Sequence, residues 1–373
     1  MNKSIFDRNK PFNSLPLLPP EKDIEGDVKI LHKLITATRS LANFNGNLLR
    51  LPNPLMLINT IALQEAKTST EIENIFTTED ELYKAISDSH KEKEADAPTK
   101  EVLRYREALW AGYNSMKSSQ QISLDQIIKI YQQTKNTNAT VRSPQSQIVI
   151  RRGSSEFRSG EIVYTPPRGK DILDKLLKNL VEYLNDDNKY PTDPLLKICI
   201  SHYQFESIHP FSDGNGRTGR IINLLELVQK RLLTHPVLYL SKYIILNKDD
   251  YYFKLSGVTQ RNDWRSWILY MLDAIEKTSD YSCELVDRIL SQMESTYNYS
   301  KQRIKWYNKE VNEKLFSQPY IKPKTIGEIL DKSSRTTLTK YFGELVQYQI
   351  LRPIKEGNEV YYVNDDLIRI LEK

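Results

Sequence analysis

The sequence predicts a mainly α-helical protein whose helical core carries one β-hairpin and whose C-terminal part is a winged helix-turn-helix. Three observations predict it. Apolar residues recur at three- and four-residue spacing through most of the 373 residues. Two β-prone runs joined by a turn-rich stretch occur once in the middle of the chain. The last 56 or so residues, about 318–373, run helix, turn, helix, ribbon.

Residues 1 to about 25 contain Pro11, Pro16, Pro19 and Pro20 and are expected to form an extended arm, because proline lacks the amide hydrogen a helix needs. A helix is expected from Ile24 to about Leu49, with Val28, Leu31 and Ile35 at helical spacing. A second is expected from Pro54 to Phe76, with Leu57, Ile58, Ile61 and Ala62 on one face. The charged stretch His90–Lys100 reads as a loop. Helical patterns resume at Glu101–Met116 and Leu124–Thr134. Gln147–Arg152 and Glu161–Thr165, joined through Gly153, two serines and Gly160, read as the hairpin, and Pro166 and Pro167 end it. Helices follow at Asp171–Leu184, Pro194–Ile208, Arg217–Leu233, Lys248–Leu255, Trp264–Thr278 and Ser282–Phe316. In the last part, Thr325–Asp331 and Thr336–Tyr348 are helices around a turn at Ser333–Ser334. Leu351–Lys355 and Glu359–Val363 are a ribbon around Glu356-Gly357-Asn358.

Composition narrows the function. Hydrophobic residues are 39%, charged residues 27% and aromatic residues 10%, which is a globular balance and excludes disorder over most of the length. Two cysteines, Cys199 and Cys283, exclude a disulfide scaffold and a thiolate zinc site. No apolar run approaches the roughly 18 to 20 residues that span a bilayer, and the first residues lack the apolar stretch of a secretory signal, so a cytoplasmic protein is expected. A net charge of +5 permits an anionic ligand without demanding nucleic acid.

The chemistry concentrates in His209-Pro-Phe-Ser-Asp-Gly-Asn-Gly-Arg-Thr-Gly-Arg220. Helical patterns precede and follow it, while Pro210, Gly214, Gly216 and Gly219 disfavour a helix through it. The segment is therefore a loop delivering a helix N-terminus, whose unpaired N–H groups and partial positive charge suit phosphate. Gly214 and Gly216 let the backbone approach an anion. Arg217 and Arg220, three apart, are expected to project from one side of the first turn and grip phosphate oxygens. Asp213 beside a phosphate site is the type of ligand that holds magnesium, and His209 can take a proton near neutral pH. The other histidines, His32, His90, His202 and His235, are read as structural. Gly214–Gly219 formally matches GxGxxG, but a helical pattern precedes it and no acidic residue lies near position 239, so the dinucleotide reading is weak. No Walker A pattern occurs.

The segment resembles the signature of the Fic family, HPFx(D/E)GNGRxxR, at every specified position, and Glu161–Pro167 resembles the second strand of that family's β-hairpin flap. The resemblance covers roughly residues 50–275. It implies transfer of AMP from ATP to a protein hydroxyl of Tyr, Thr or Ser. His209 would deprotonate the acceptor and Asp213 would hold Mg2+. Gly214, Asn215 and Gly216 would line the anion hole, Arg217 and Arg220 would bind the β- and γ-phosphates, and Thr218 and Gly219 complete the nucleotide-binding run. Tyr251 and Tyr252 would contact adenine, and the flap would pair with the target segment by strand addition. Ser69-Thr-Glu-Ile-Glu73-Asn74 matches the family's inhibitory pattern: Ser or Thr, three residues, Glu, then Gly or Asn. Ser69 and Glu73, four apart, are expected to share a helix face. A Glu73 carboxylate on Arg220 would displace the γ-phosphate and misalign the α-phosphate.

The implied organisation is 1–110, an N-terminal helical region with the inhibitory helix at about 57–76; 111–280, the catalytic core with the flap at about 147–167; 281–317, a helical connector; and 318–373, the winged helix. That last part has nine Lys or Arg against eight Asp or Glu, so DNA contact and protein contact both remain open for it. Alternatives are a nucleotide-sensing regulator without turnover, a Fic enzyme with a phosphocholine, UMP or phosphate donor, and removal of AMP from modified protein. Self-modification and a homodimer are expected from the resemblance.

Overall fold

The computed structural model describes residues 6–21, 23–51, 54–87, 89–152, 160–331, 334–356 and 359–372. In chain order the elements are α1 (Val28–Leu48), α2 (Pro54–Ile72), α3 (Glu79–Ser87), α4 (Ser89–Glu94), α5 (Ala97–Ser119), α6 (Leu124–Lys135), β1 (Ile150–Arg152), β2 (Glu161–Tyr164), α7 (Lys170–Asn185), α8 (Pro194–Ile208), α9 (Asn215–Gln229), α10 (Leu240–Leu246), α11 (Lys248–Arg261), α12 (Trp264–Lys301), α13 (Lys309–Leu315), β3 (Tyr320–Ile321), α14 (Pro323–Ile329), α15 (Arg335–Gln347), β4 (Arg352–Glu356), β5 (Glu359–Val363) and α16 (Asp365–Leu371). The fold is mainly helical, as the periodicity predicts. Two small antiparallel sheets are present, β1–β2 and a three-stranded sheet of order β3–β5–β4. Among the described residues no helix is long and apolar enough to cross a membrane.

Helix α8 is buried nearly all round, from Leu195 to Ile208, and so sits inside the helical body, which is where a helix apolar on every face must lie. It packs against α7, α9 and α12, and α5 and α6 pack on the far side of α9. This places the end of α8 and the start of α9, with the sequence 209–214 between them, among packed helices. Asp193 caps α8, its side chain accepting from Leu195 N at 2.9 Å, and Pro194 occupies the first turn.

Several expectations are corrected. The inward face of α1 is Ile30, Ala37, Leu41, Phe44 and Leu48, while Val28, Leu31 and Ile35 are exposed. The first half of this helix carries two apolar stripes, and the second half selects the one that faces α12. The stretch His90–Lys100 is not a loop: α4 and the start of α5 occupy most of it, and Asp96 caps α5 by accepting from Thr99 N at 2.8 Å. Charged residues there such as Lys93 and Glu94 occupy exposed helix positions. No break occurs between Thr278 and Ser282, since α12 runs through both. Thr278 satisfies its hydroxyl within the helix, donating to Ala274 O at 2.7 Å, so a buried polar patch does not end it. The long helix ends at Lys301, not Phe316. Helices α3, α10 and α16 and strand β3 are additional to the sequence reading.

In the last part, α14, α15 and the β4–β5 hairpin follow in the expected order, and β3 adds a third strand on β5. Gly357, Asn358 and Ser333 lie outside the described residues. This unit is fastened to the region around α2 and α3. Thr60 donates to Ser317 O at 3.2 Å, Tyr320 bonds Asp80, and Lys84 pairs with Glu356 at 2.6 Å.

Candidate active site

The site begins at the end of α8. A helix leaves its last four carbonyls without intrahelical partners. Here Phe205 O accepts from His209 N at 3.0 Å, Glu206 O lies 3.3 Å from His209 Nδ1, and Ser207 O accepts from Tyr164 Oη at 2.9 Å. The helix thus stops on His209 itself, which adopts a left-handed conformation with φ 51°. The Nδ1 contact with a carbonyl makes Nδ1 the protonated nitrogen and leaves Nε2 as the free lone pair. Burial lowers the His209 pKa to about 4, so the imidazole is neutral at physiological pH.

The loop is then locked from inside. Asn215 is buried, and its side chain both accepts from Phe211 N and donates to Phe211 O, each at 2.9 Å. The Phe211 ring stacks on Tyr131 of α6 with centroids 3.9 Å apart. Gly214, at φ 75°, turns the chain into α9 without providing a side-chain cap. Thr218 N, bonded to Gly214 O at 3.1 Å, is the first amide to join the helical ladder. The amides of Asn215, Gly216 and Arg217 therefore form the open N-terminus that the sequence predicts as an anion cradle. Thr218 turns its hydroxyl back to Gly214 O at 2.9 Å, away from the cradle.

The two arginines do not share a partner. Arg217 is buried and pairs with Glu101 on α5. Arg220, only 2% exposed, is gripped by the C-terminal end of α2: its Nε donates to Ser69 Oγ, and its Nη2 donates to Ser69 O and to Glu73 Oε1, each at 2.7 Å. The same carboxylate lies over Gly216, where even a β carbon would collide with Glu73 Oε1. Glu73 is one residue past the end of α2, in a turn that Asn74 closes at φ 62°. That left-handed position is the physical reason the inhibitory pattern ends in Gly or Asn.

Other groups surround this centre. Asp213 is exposed and pairs with Lys135 Nζ at 2.7 Å, which, with a hydrogen bond from Gly214 N, helps hold its carboxyl below the usual range. Glu206 is driven the other way, to about 8, by burial, and its Oε1 has no hydrogen-bond partner among the described residues. Tyr251 is buried with its hydroxyl 2.8 Å from His202 Nε2, whereas Tyr252 is 42% exposed. Of the two tyrosines only Tyr252 offers an open ring. His202 is a buried structural histidine, held to about 3 by burial and by the nearby Arg220. Strands β1 and β2 form the hairpin, with a bulge between Ile150 and Arg151; Gly153 and the serines after it lie outside the described residues.

Sequence reasoning did not single out Lys135, Glu101 or Glu65. Glu65, buried on α2, accepts from Ser241 N at 2.8 Å and Ser241 Oγ at 2.6 Å, docking α2 against α10. Each lies far from its partner in sequence, so local pattern carried no signal for it.

The chain is similar to known proteins over most of its length. A family model described as Fic/DOC family N-terminal matches residues 31–114, one described as Fic/DOC family matches 121–227, and one described as the C-terminal domain of SoFic-like protein adenylyltransferases matches 290–367. The chain is 26% identical over 203 residues to protein adenylyltransferase fic-1 of Caenorhabditis elegans, covering 53% of this chain and 35% of that protein. It is 30% identical over 128 residues to protein adenylyltransferase Fic of Aedes aegypti, covering 34% of this chain and 24% of that protein. The chain thus spans about a third or less of the length of these curated relatives. A crystal structure of a Fic family protein from Desulfovibrio desulfuricans superposes with a TM-score of 0.56 at 19% identity, covering 92% of this chain and 98% of the other. Fic-1 (aa134 - 508) of C. elegans superposes at 0.52 with 20% identity, covering 69% and 70%.

Proposed function

We propose that this chain, a member of the Fic/DOC family, is a protein adenylyltransferase that moves AMP from ATP to a hydroxyl side chain of a protein and is held off by its own Glu73. The observation that carries the reading is the pairing of Arg220 with Ser69 and Glu73 directly over an uncapped helix N-terminus, next to a neutral histidine.

In the transfer, His209 Nε2 takes the proton of the acceptor hydroxyl. The hydroxyl oxygen bonds to the α-phosphorus as the bond from that phosphorus to the bridging oxygen breaks, and pyrophosphate leaves. A general base of this kind contributes about 10²- to 10⁴-fold. The open amides of α9 and the Arg220 guanidinium receive phosphate oxygens. Arg217, tied to Glu101, shapes the start of α9. Asp213 suits Mg2+, which is commonly bound by one or two carboxylates together with substrate phosphates. Bound there, Mg2+ would neutralise phosphate charge. With Glu73 seated, a γ-phosphate cannot take Arg220, and in-line placement of the α-phosphate is lost.

The target, self-modification and a homodimer belong to the same proposal, as does a contact role for the C-terminal unit as a winged helix. The test is intact-mass measurement after incubation with ATP and Mg2+. Glu73→Gly is expected to add AMP to itself or to an added acceptor faster than the wild-type chain, and His209→Ala in that background to add none while still binding ATP. A phosphate-sized increment would point to another donor chemistry, and no increment from folded Glu73→Gly protein would overturn the reading.

A further inference from the structure

Arg142 lies in the stretch between α6 and β1, outside every motif the sequence offers. It is 6% exposed, and its guanidinium donates to three backbone carbonyls. Nε donates to His209 O at 2.8 Å, and Nη2 donates to Pro167 O at 2.6 Å and to Ile208 O at 3.2 Å. Its own amide donates to Pro210 O at 2.9 Å. Two residues on, Pro144 O accepts from Gly169 N at 3.0 Å, so this stretch and the chain leaving the hairpin are joined twice.

Burying a cation without a carboxylate is costly, and a fold keeps one only where something compensates. Here the compensation is the end of α8. Its last carbonyls carry the negative end of the helix dipole, and the left-handed turn at His209 directs one further carbonyl out of the helix. A planar guanidinium presents Nε–H and Nη–H side by side and can satisfy such carbonyls together, which a lysine ammonium cannot do with the same fixed geometry. Tyr164 of the hairpin satisfies the neighbouring Ser207 O. The carbonyls at the end of this helix are thus capped by the hairpin and the stretch leading into it.

We propose that Arg142 is a positioning residue for the transfer, one guanidinium that fixes both the backbone presenting the His209 imidazole and the end of the hairpin against which the acceptor segment lies. The inference rests on the transferase reading above. It concerns orientation, so it predicts loss of turnover and not of nucleotide binding. A misplacement of about 1 Å at a reacting group costs on the order of 10²-fold.

The test uses the full chain carrying Glu73→Gly. Adding Arg142→Ala is expected to lower the labelling rate at saturating ATP by about 10- to 100-fold while the Kd for ATP stays within about twofold. Guanidinium ion in solution is expected to restore part of that rate, and to restore none to His209→Ala. Arg142→Lys, which keeps the buried charge and guards against misfolding of the alanine variant, is expected to lose rate as well. A second readout needs no turnover: 15N NMR of the His209 imidazole reports the Nδ1–H form in the parent chain and a mixture of forms once Arg142 is replaced. Unchanged labelling, or unchanged imidazole signals in the folded variants, overturns the inference. If Glu73→Gly itself labels nothing, the transferase reading fails while the imidazole signals still decide the role of Arg142.

Discussion

Replacing Asn74 isolates how the chain presents its inhibitory carboxylate. Asn74 closes the turn after α2 at φ 62°, with its amide donating to Glu71 O at 2.9 Å and the Ile75 amide donating to Thr70 O at 3.3 Å. Lys248 closes the same turn, donating to Ile72 O at 2.6 Å and to Asn74 Oδ1 at 3.4 Å. The turn is what carries Glu73 off the helix and onto Arg220. A β-carbon in this backbone region costs roughly 1–2 kcal/mol, glycine is exempt and asparagine is partly so. Asn74→Ala therefore weakens the seated arrangement by about 1 kcal/mol, and each 1.36 kcal/mol is tenfold. The ratio of seated to released Glu73 falls about fivefold, and AMP transfer rises by up to the same factor. Asn74→Gly loses the same long Lys248 contact but suffers no backbone penalty, so it is expected to stay near the wild-type rate. The assay is initial-rate labelling from radioactive ATP, with Glu73→Gly as the fully released reference. Equal rates for the Ala and Gly variants, in a series where Glu73→Gly is clearly activated, would falsify the claim that this turn sets the inhibition.

Two further outcomes follow from the charges around the site. Burial lowers His209 to about 4, so the neutral base persists as pH falls, and kcat/KM of Glu73→Gly is expected to be nearly flat between pH 7 and about 5. An acid limb centred near the ordinary histidine value of 6.5 would contradict this placement of the base. The same shift has a stability sign: the unfolded histidine gains its proton near 6.5 and the folded one only near 4, so this group stabilises the fold above 6.5 and that contribution is lost as pH falls toward 4. At Asp213, Lys135→Gln removes the cation that pairs with the carboxylate at 2.7 Å. The pair is partly exposed and worth about 0.5–1 kcal/mol, so the Mg2+ concentration giving half-maximal labelling is expected to drop roughly two- to fivefold. A rise in that concentration would mean that Lys135 assists the site instead of competing for its carboxylate.

What the sequence settled unaided is whatever depends on neighbours along the chain. Proline and glycine between two helical patterns compel a break that delivers an open helix start; the structure has the break at 209–214, and the helix begins at Asn215, two residues before the Arg217 expected from the sequence. Glu73 could be paired with Arg220 from the resemblance, and it meets it, while the bonds from Arg220 to Ser69 were not read from the sequence. Tertiary structure decided the rest. Arg217 and Arg220 are only three apart, yet α5 supplies the partner of one and α2 that of the other, because the elements packed around α9 present different carboxylates. Which of the two apolar stripes in the first half of α1 turns inward is settled by the packing of the whole helix on α12. The continuity of α12 through Thr278 and Ser282 is a tertiary outcome too, since the buried Thr278 hydroxyl turns back onto Ala274 O and the helix runs on. Arg142 meets the end of α8 across 66 residues of chain, and nothing in its own neighbourhood announces it. Periodicity and backbone stereochemistry are local and can be read in order. The pairing of buried charges with carbonyls and carboxylates exists only after distant helices have been brought together, and that is where the geometry of this site was made.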